Sequence, residues 1–131
     1  MSGSILVEVG TGELVDKITI LQIKAERIED PNKLANVNHE LTVLSQTLHR
    51  ELPASTELDA LTAELKSINE SLWEIEDDIR ACEAAKDFTA RFIELARAVY
   101  ITNDKRAAVK KQINVLTGST VVEEKSYTEF D

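Results

Sequence analysis

LDALTAELKSINESLWEIEDDIRAC, residues 58–82, sets Leu58, Leu61, Leu65, Ile68, Leu72, Ile75, Ile79 and Cys82 in steps that alternate three and four. That repeat keeps one narrow apolar stripe facing a partner helix. After a short polar stretch a second stripe runs Phe88, Phe92, Leu95, Val99, Thr102, Arg106, Val109, Ile113, Leu116. Folding the chain back near residue 87 brings Cys82 opposite Phe92, Ile75 opposite Val99, Ile68 opposite Arg106 and Leu58 opposite Leu116. Charge agrees with this pairing: residues 51–86 hold ten acids and three bases, residues 87–117 three acids and six bases. Asp77 then falls beside Arg97, Arg80 beside Glu94 and Glu64 beside Lys110. Each exposed pair adds only ~0.5 kcal/mol, but together they select an antiparallel partner and a register.

Working outward, Leu14, Ile18, Leu21, Ala25 and Ile28 mark one face of an earlier helix over about 13–29. Val15, Ile20 and Ile23 widen that face enough to bury it on two sides. Asp30-Pro31 ends it, because the residue before proline avoids the helical region while proline suits the first turn of the next helix. That next helix, 31–52, carries the seam Leu34, Val37, Leu41, Leu44, Leu48. Pro53 breaks the chain, and Ser55 or Thr56 caps a third helix over 56–86; a fourth, 87–117, closes at Gly118. The expected fold is all-α: an antiparallel helical bundle with a long coiled-coil-like hairpin, a single helical domain over 1–117. Ile5–Val9 reads as a short N-terminal strand or arm, with Thr120-Val121-Val122 as its one β-favouring counterpart, and 118–131 as an extended tail.

Composition narrows the function. Apolar residues make up 43% of the 131, aromatics 5%, and the net charge is −9, which excludes a nucleic-acid or anionic-membrane surface built on clustered cations. Cys82 is the only cysteine and sits on the apolar stripe, so it reads as a small buried hydrophobe. No apolar run reaches the ~18 residues of a membrane span and no signal peptide is evident, so the expected setting is cytoplasmic.

One polar constellation stands out. Trp73, Glu76, Asp77 and Arg80 share a helical face, and Arg97, Tyr100, Asn103 and Asp104 lie opposite in the hairpin register. Thr102 and Arg106 interrupt the fourth helix's seam. Such a set can hold a small polar or anionic ligand, with Arg97 and Arg106 as clamps, or form a salt-bridge network with the Arg106 head in water. Acidic pairs Glu13/Asp16, Glu26/Glu29 and Glu74/Asp77 have the spacing that chelates Mg²⁺ in the all-helical nucleotide pyrophosphohydrolases. His39 and His49 lie three turns apart, too far to share a metal. With no phosphate loop, nucleophile elbow or CxxC, no catalytic residue, cofactor or metal is assigned.

Glu13-Leu14-Val15-Asp16-Lys17-Ile18-Thr19-Ile20-Leu21 resembles the opening helix of the chorismate mutases, which carry an arginine where Val15 stands. Gly12–Leu21, Leu72–Asp77, Asn103–Ala107 and Val122–Tyr127 together resemble a family of short, functionally uncharacterised bacterial helical proteins, a domain of unknown function found near glycosyltransferase-type genes. That resemblance covers nearly the whole chain and singles out Glu13, Asp16, Lys17, Trp73, Glu76, Asp77, Asn103, Asp104 and Arg106. It implies an association with surface-polysaccharide glycosyltransferases; with no chemistry assigned, the expected role is a non-catalytic interaction or adaptor protein that docks on a protein partner through the long hairpin or the Val122–Asp131 tail. Long heptad hairpins complete their burial by pairing, so a homodimer is expected. The alternative is a small-ligand-binding or enzymatic bundle.

Overall fold

A computed structural model describes residues 3–130. Its regular elements among those residues are four helices and no strand: α1 (Thr11–Arg27), α2 (Pro31–Glu51), α3 (Thr56–Ala84) and α4 (Ala90–Thr117). The helix ends follow from local chemistry. Asp30 accepts from the backbone N–H groups of Asn32 and Lys33 with Pro31 in the first turn, so α2 starts with its orphan donors satisfied. Ser55 does the same for α3 through the Leu58 N–H. Gly118, at φ +67°, supplies the left-handed residue that closes α4.

α4 begins later than residue 87. Asp87 accepts from both the N–H and the hydroxyl of Thr89, at 3.1 and 2.6 Å, and this turn takes up 87–89 before the helix can start. The hydroxyl bond and then the N–H bond hold the Asp87 carboxyl below its ordinary value.

α1 meets α2, α3 and α4, whereas α2 meets only α1. The buried face of α1 is accordingly wide: Gly12, Val15, Asp16, Ile18, Thr19, Leu21 and Ile23 are all buried, against only Val37 in α2. The central cluster joins Val15 of α1, Leu58 and Leu65 of α3, and Val109 and Ile113 of α4, with Leu48, Leu52, Leu61 and Ile68 packed around it. Early α3 therefore lies by late α4, and at the opposite end Asp78 pairs with Arg91 at 3.7 Å.

The α3 stripe lies inward throughout, but both ends of the α4 stripe differ from the two-helix expectation. Phe88 is 54% and Leu116 43% exposed, and the buried position after Ile113 is taken by Asn114. The expected cross-hairpin ion pairs are replaced: Arg80 binds Glu76 on its own helix, Lys110 binds Glu13 and Glu123, and no ion pair joins Asp77 to Arg97 among the described residues. The reason is α1, which lies against both long helices and redirects the cations of α4 toward its own acids.

Residues 4–10 carry no regular secondary structure, with Ile5, Leu6 and Val7 exposed, and the ends of the chain meet without forming a strand ladder among the described residues. Gly10 packs so closely on the Val121 carbonyl that an added Cβ would lie 2.5 Å from its oxygen. Beyond Ser119 the tail folds back over α4, with Glu123 on Lys110 and Phe130 edge-on to Tyr100 at 5.3 Å.

Candidate functional site

The sequence puts Asp16 in the second turn of α1 amid Val15, Ile18 and Thr19, so the helix turns a carboxylate into the interior. Asp16 is 1% exposed. A carboxylate so placed needs a cation and full hydrogen bonding. Arg106 of α4 supplies the cation through a two-pronged contact: Nε donates to Asp16 Oδ1 at 3.0 Å and Nη2 donates to Oδ2. Asn69 of α3 donates its Nδ2 to Asp16 Oδ1 at 2.8 Å and to Thr19 Oγ1 at 2.9 Å, and the Thr19 hydroxyl donates to the Asp16 carbonyl at 2.8 Å. Three helices are thus fastened at one carboxylate. Among the described residues no buried side-chain nitrogen or oxygen lacks a partner.

One turn along α4, Lys110 donates to Glu13 at 2.8 Å and to Glu123 at 3.3 Å, with Asp16 Oδ2 4.0 Å away. Burial pulls the Lys110 ammonium down, but the Glu13 hydrogen bond and the charges of Glu13 and Asp16 outweigh it, leaving a net rise above the ordinary lysine value. The Asp16 hydrogen bond raises Arg106 further above its already high value. At the start of α1, where Gly10 brings no side chain to cap the helix, the chain's other end does so: Asn114 Oδ1 accepts from Gly12 N–H at 2.7 Å and Ser119 Oγ from Thr11 N–H at 3.3 Å. Glycine is required at 12, since a Cβ there would lie 2.4 Å from the Lys110 carbonyl oxygen.

The expected mid-hairpin constellation is divided. Trp73, Glu76, Asp77 and Arg106 line a groove of about 360 Å³ between α1 and α3, together with Ile20, Ile23, Asn69, Leu72 and Arg80. Arg27 lies over the Trp73 ring, 6.0 Å from its centroid. Tyr100, Asn103 and Asp104 line a separate cavity of about 420 Å³ under the tail, with Tyr127 and Phe130. Arg97 and Lys17 are exposed and joined to neither cavity. The Arg106 head is bound to Asp16 rather than left in water. Glu13 and Asp16, the pair with chelating spacing, are each engaged by a cation, Glu26 binds Lys66 and Glu74 binds Arg27. Among the described residues no three His, Cys, Asp or Glu side chains gather as a metal site.

Four participants escaped the sequence reading: Asn69, Asn114, Ser119 and Lys110 in its role toward Glu13. Asn69 carried a usable signal, since it follows Leu65 by four and sits beside Ile68 on the inward side of α3. Nothing local marks Asn114 as a cap for a helix about a hundred residues earlier.

Comparison with known proteins adds a family. The family model described as "Family of unknown function (DUF6165)" matches residues 5–130. No curated protein and no solved structure matched the chain. No helix is long and apolar enough to cross a membrane among the described residues.

Proposed function

This chain belongs to the DUF6165 family, and from that premise we propose that it is a non-catalytic helical adaptor that docks on a protein partner. The observation that carries this reading is the closure of the Asp16 constellation. Both carboxylate oxygens, the Asn69 Nδ2 and the Thr19 hydroxyl are engaged with one another or with Arg106, so the buried carboxylate is spent on fastening helices rather than on a substrate. The outward feature is the Trp73 groove, with an apolar floor of Ile20, Ile23 and Leu72 and the Asp77 carboxylate at its edge, free of any ion pair among the described residues. A tryptophan in such a groove is the kind of side chain that anchors protein interfaces.

In this reading α3 and α4 form an antiparallel coiled-coil-like hairpin within one domain over 1–117, with 118–131 as its tail. The setting is a bacterial cytoplasm, the chain self-associates as a homodimer, and the partner is a glycosyltransferase of surface-polysaccharide synthesis, as the resemblance read in the sequence implies. The test is co-expression with such a glycosyltransferase followed by gel filtration and titration calorimetry. Trp73→Ala should weaken the complex by about 2 kcal/mol, more than tenfold in Kd, with the helical signal unchanged. A complex unaffected by Trp73→Ala and Asp77→Asn contradicts the docking face.

A second reading, a ligand-binding or enzymatic bundle, has one observation in its favour: Arg106 borders both the Trp73 groove and a smaller cavity of about 240 Å³ beside Glu13 and Lys110. Thermal unfolding against Mg²⁺, Mn²⁺, nucleotides, nucleotide sugars and prephenate separates the two. A ligand at about 100 times its Kd stabilises by about 2.7 kcal/mol, and a flat response retires this alternative for those ligands.

A further inference from the structure

The N-terminal arm spells Ile5-Leu6-Val7-Glu8-Val9, so an extended backbone sets Ile5, Val7 and Val9 on one face and Leu6 and Glu8 on the other. Ile5, Leu6 and Val7 are 90, 94 and 74% exposed. Residues 5–9 make no backbone hydrogen bond among the described residues. This is a strand by composition and by pattern, without a neighbour.

Two further observations say the arm is not a loose appendage. Its base is fixed: Gly10 packs on the Val121 carbonyl and Thr11 N–H donates to Ser119. The family match opens at residue 5, so the exposed apolar run lies inside the stretch that defines the family.

Resting on the self-association read above, we infer that two copies of this chain join through their arms, as an antiparallel two-stranded ribbon with its two-fold axis at Val7. The pattern selects that register. Centred on Val7, Ile5 lies opposite Val9 of the second copy, Val7 opposite Val7, and Leu6 opposite Glu8, so β-branched residues meet on one face and no like charges face each other. Centring on Glu8 would oppose two carboxylates. Centring on Leu6 would leave Val9 facing Gly3. A two-stranded ribbon is marginal by itself, so its apolar face has to be covered. The groove of about 360 Å³ that Val9 lines also carries Ala107, Val121 and Val122 beside charged side chains, and Ile5 of the second copy, opposite Val9, would reach it.

Cysteine cross-linking under mild oxidation, in a Cys82→Ala background, tests both the contact and the register. Val7→Cys should yield a covalent dimer, because the axis places the two side chains together. Ile5→Cys alone should not, whereas a mixture of Ile5→Cys and Val9→Cys chains should. In light scattering, Val7→Asp should reduce the mass from twice 14.6 kDa to 14.6 kDa with the helical circular dichroism unchanged. A dimer that survives Val7→Asp overturns the arm contact and leaves self-association standing. Ile5→Cys cross-linking as well as Val7→Cys overturns the register. A wild-type monomer overturns the arm contact and self-association together, while docking through Trp73 remains open to its own test.

Discussion

At Asp16 the cost of taking a carboxylate out of water is met by a guanidinium and an amide from two other helices, and changes to any member should be felt. Asn69→Asp replaces the Nδ2 donor by an oxygen facing Asp16 and should destabilise by about 2 kcal/mol in urea unfolding, through lost hydrogen bonds and like-charge repulsion. A neutral result would mean that Asn69 holds nothing. Lys110 gives a pH test. Its folded value is raised, so the stability it contributes is whole below the unfolded lysine value of about 10.4 and is lost as pH rises through the folded value. Thermal melts from about pH 9 to about pH 12 should fall more steeply for wild type than for Lys110→Met; parallel slopes would contradict the pairing. Asp16 and Arg106 were both visible in the sequence as notable residues, but not as partners. A heptad register relates α3 to α4 and contains no term for a third helix, so it sent Arg106 toward Ile68 and solvent.

At the scale of elements, four helices were legible because their stripes, caps and breaks are local: Asp30-Pro31, Ser55 and Gly118 stand at the ends that the structure shows. The start of α4 was not, because the Asp87–Thr89 turn depends on a side-chain bond that leaves no mark in the periodicity. Nor was the role of α1 as the helix that meets all others, since its wide apolar face says only that more than one side is covered. Gly12 tests this packing. Alanine usually stabilises a helix relative to glycine by about 1 kcal/mol. Here Gly12→Ala should instead destabilise by about 2 kcal/mol, because the new methyl meets the Lys110 backbone. An increase in Tm would show that α1 and α4 are free to part.

For the whole molecule, the two ends of the chain work together. Asn114 and Ser119 cap the start of α1, Glu123 binds Lys110 of α4, and Phe130 packs on Tyr100. Truncation after Gly118 removes Ser119, Glu123 and Phe130 and should lower stability by about 2 kcal/mol, the sum of a lost cap, a partly buried ion pair and a ring contact. Circular dichroism melts would show it, and an unchanged Tm would mean the tail is not fastened. This end-to-end closure lay beyond the sequence reading, which saw two β-favouring segments and expected at most a strand pair. What the composition did convey is an acidic chain built on an aliphatic core.

The most direct test of a closed, structural constellation is a double-mutant cycle on Asp16 and Arg106 by urea unfolding. If the pair fastens α1 to α4, Asp16→Ala and Arg106→Ala should each cost about 3 kcal/mol, and the double variant little more than either, because each single change strands the other's charge. An Arg106→Ala protein as stable as wild type would contradict the account and mark Arg106 as an arginine held ready for a ligand.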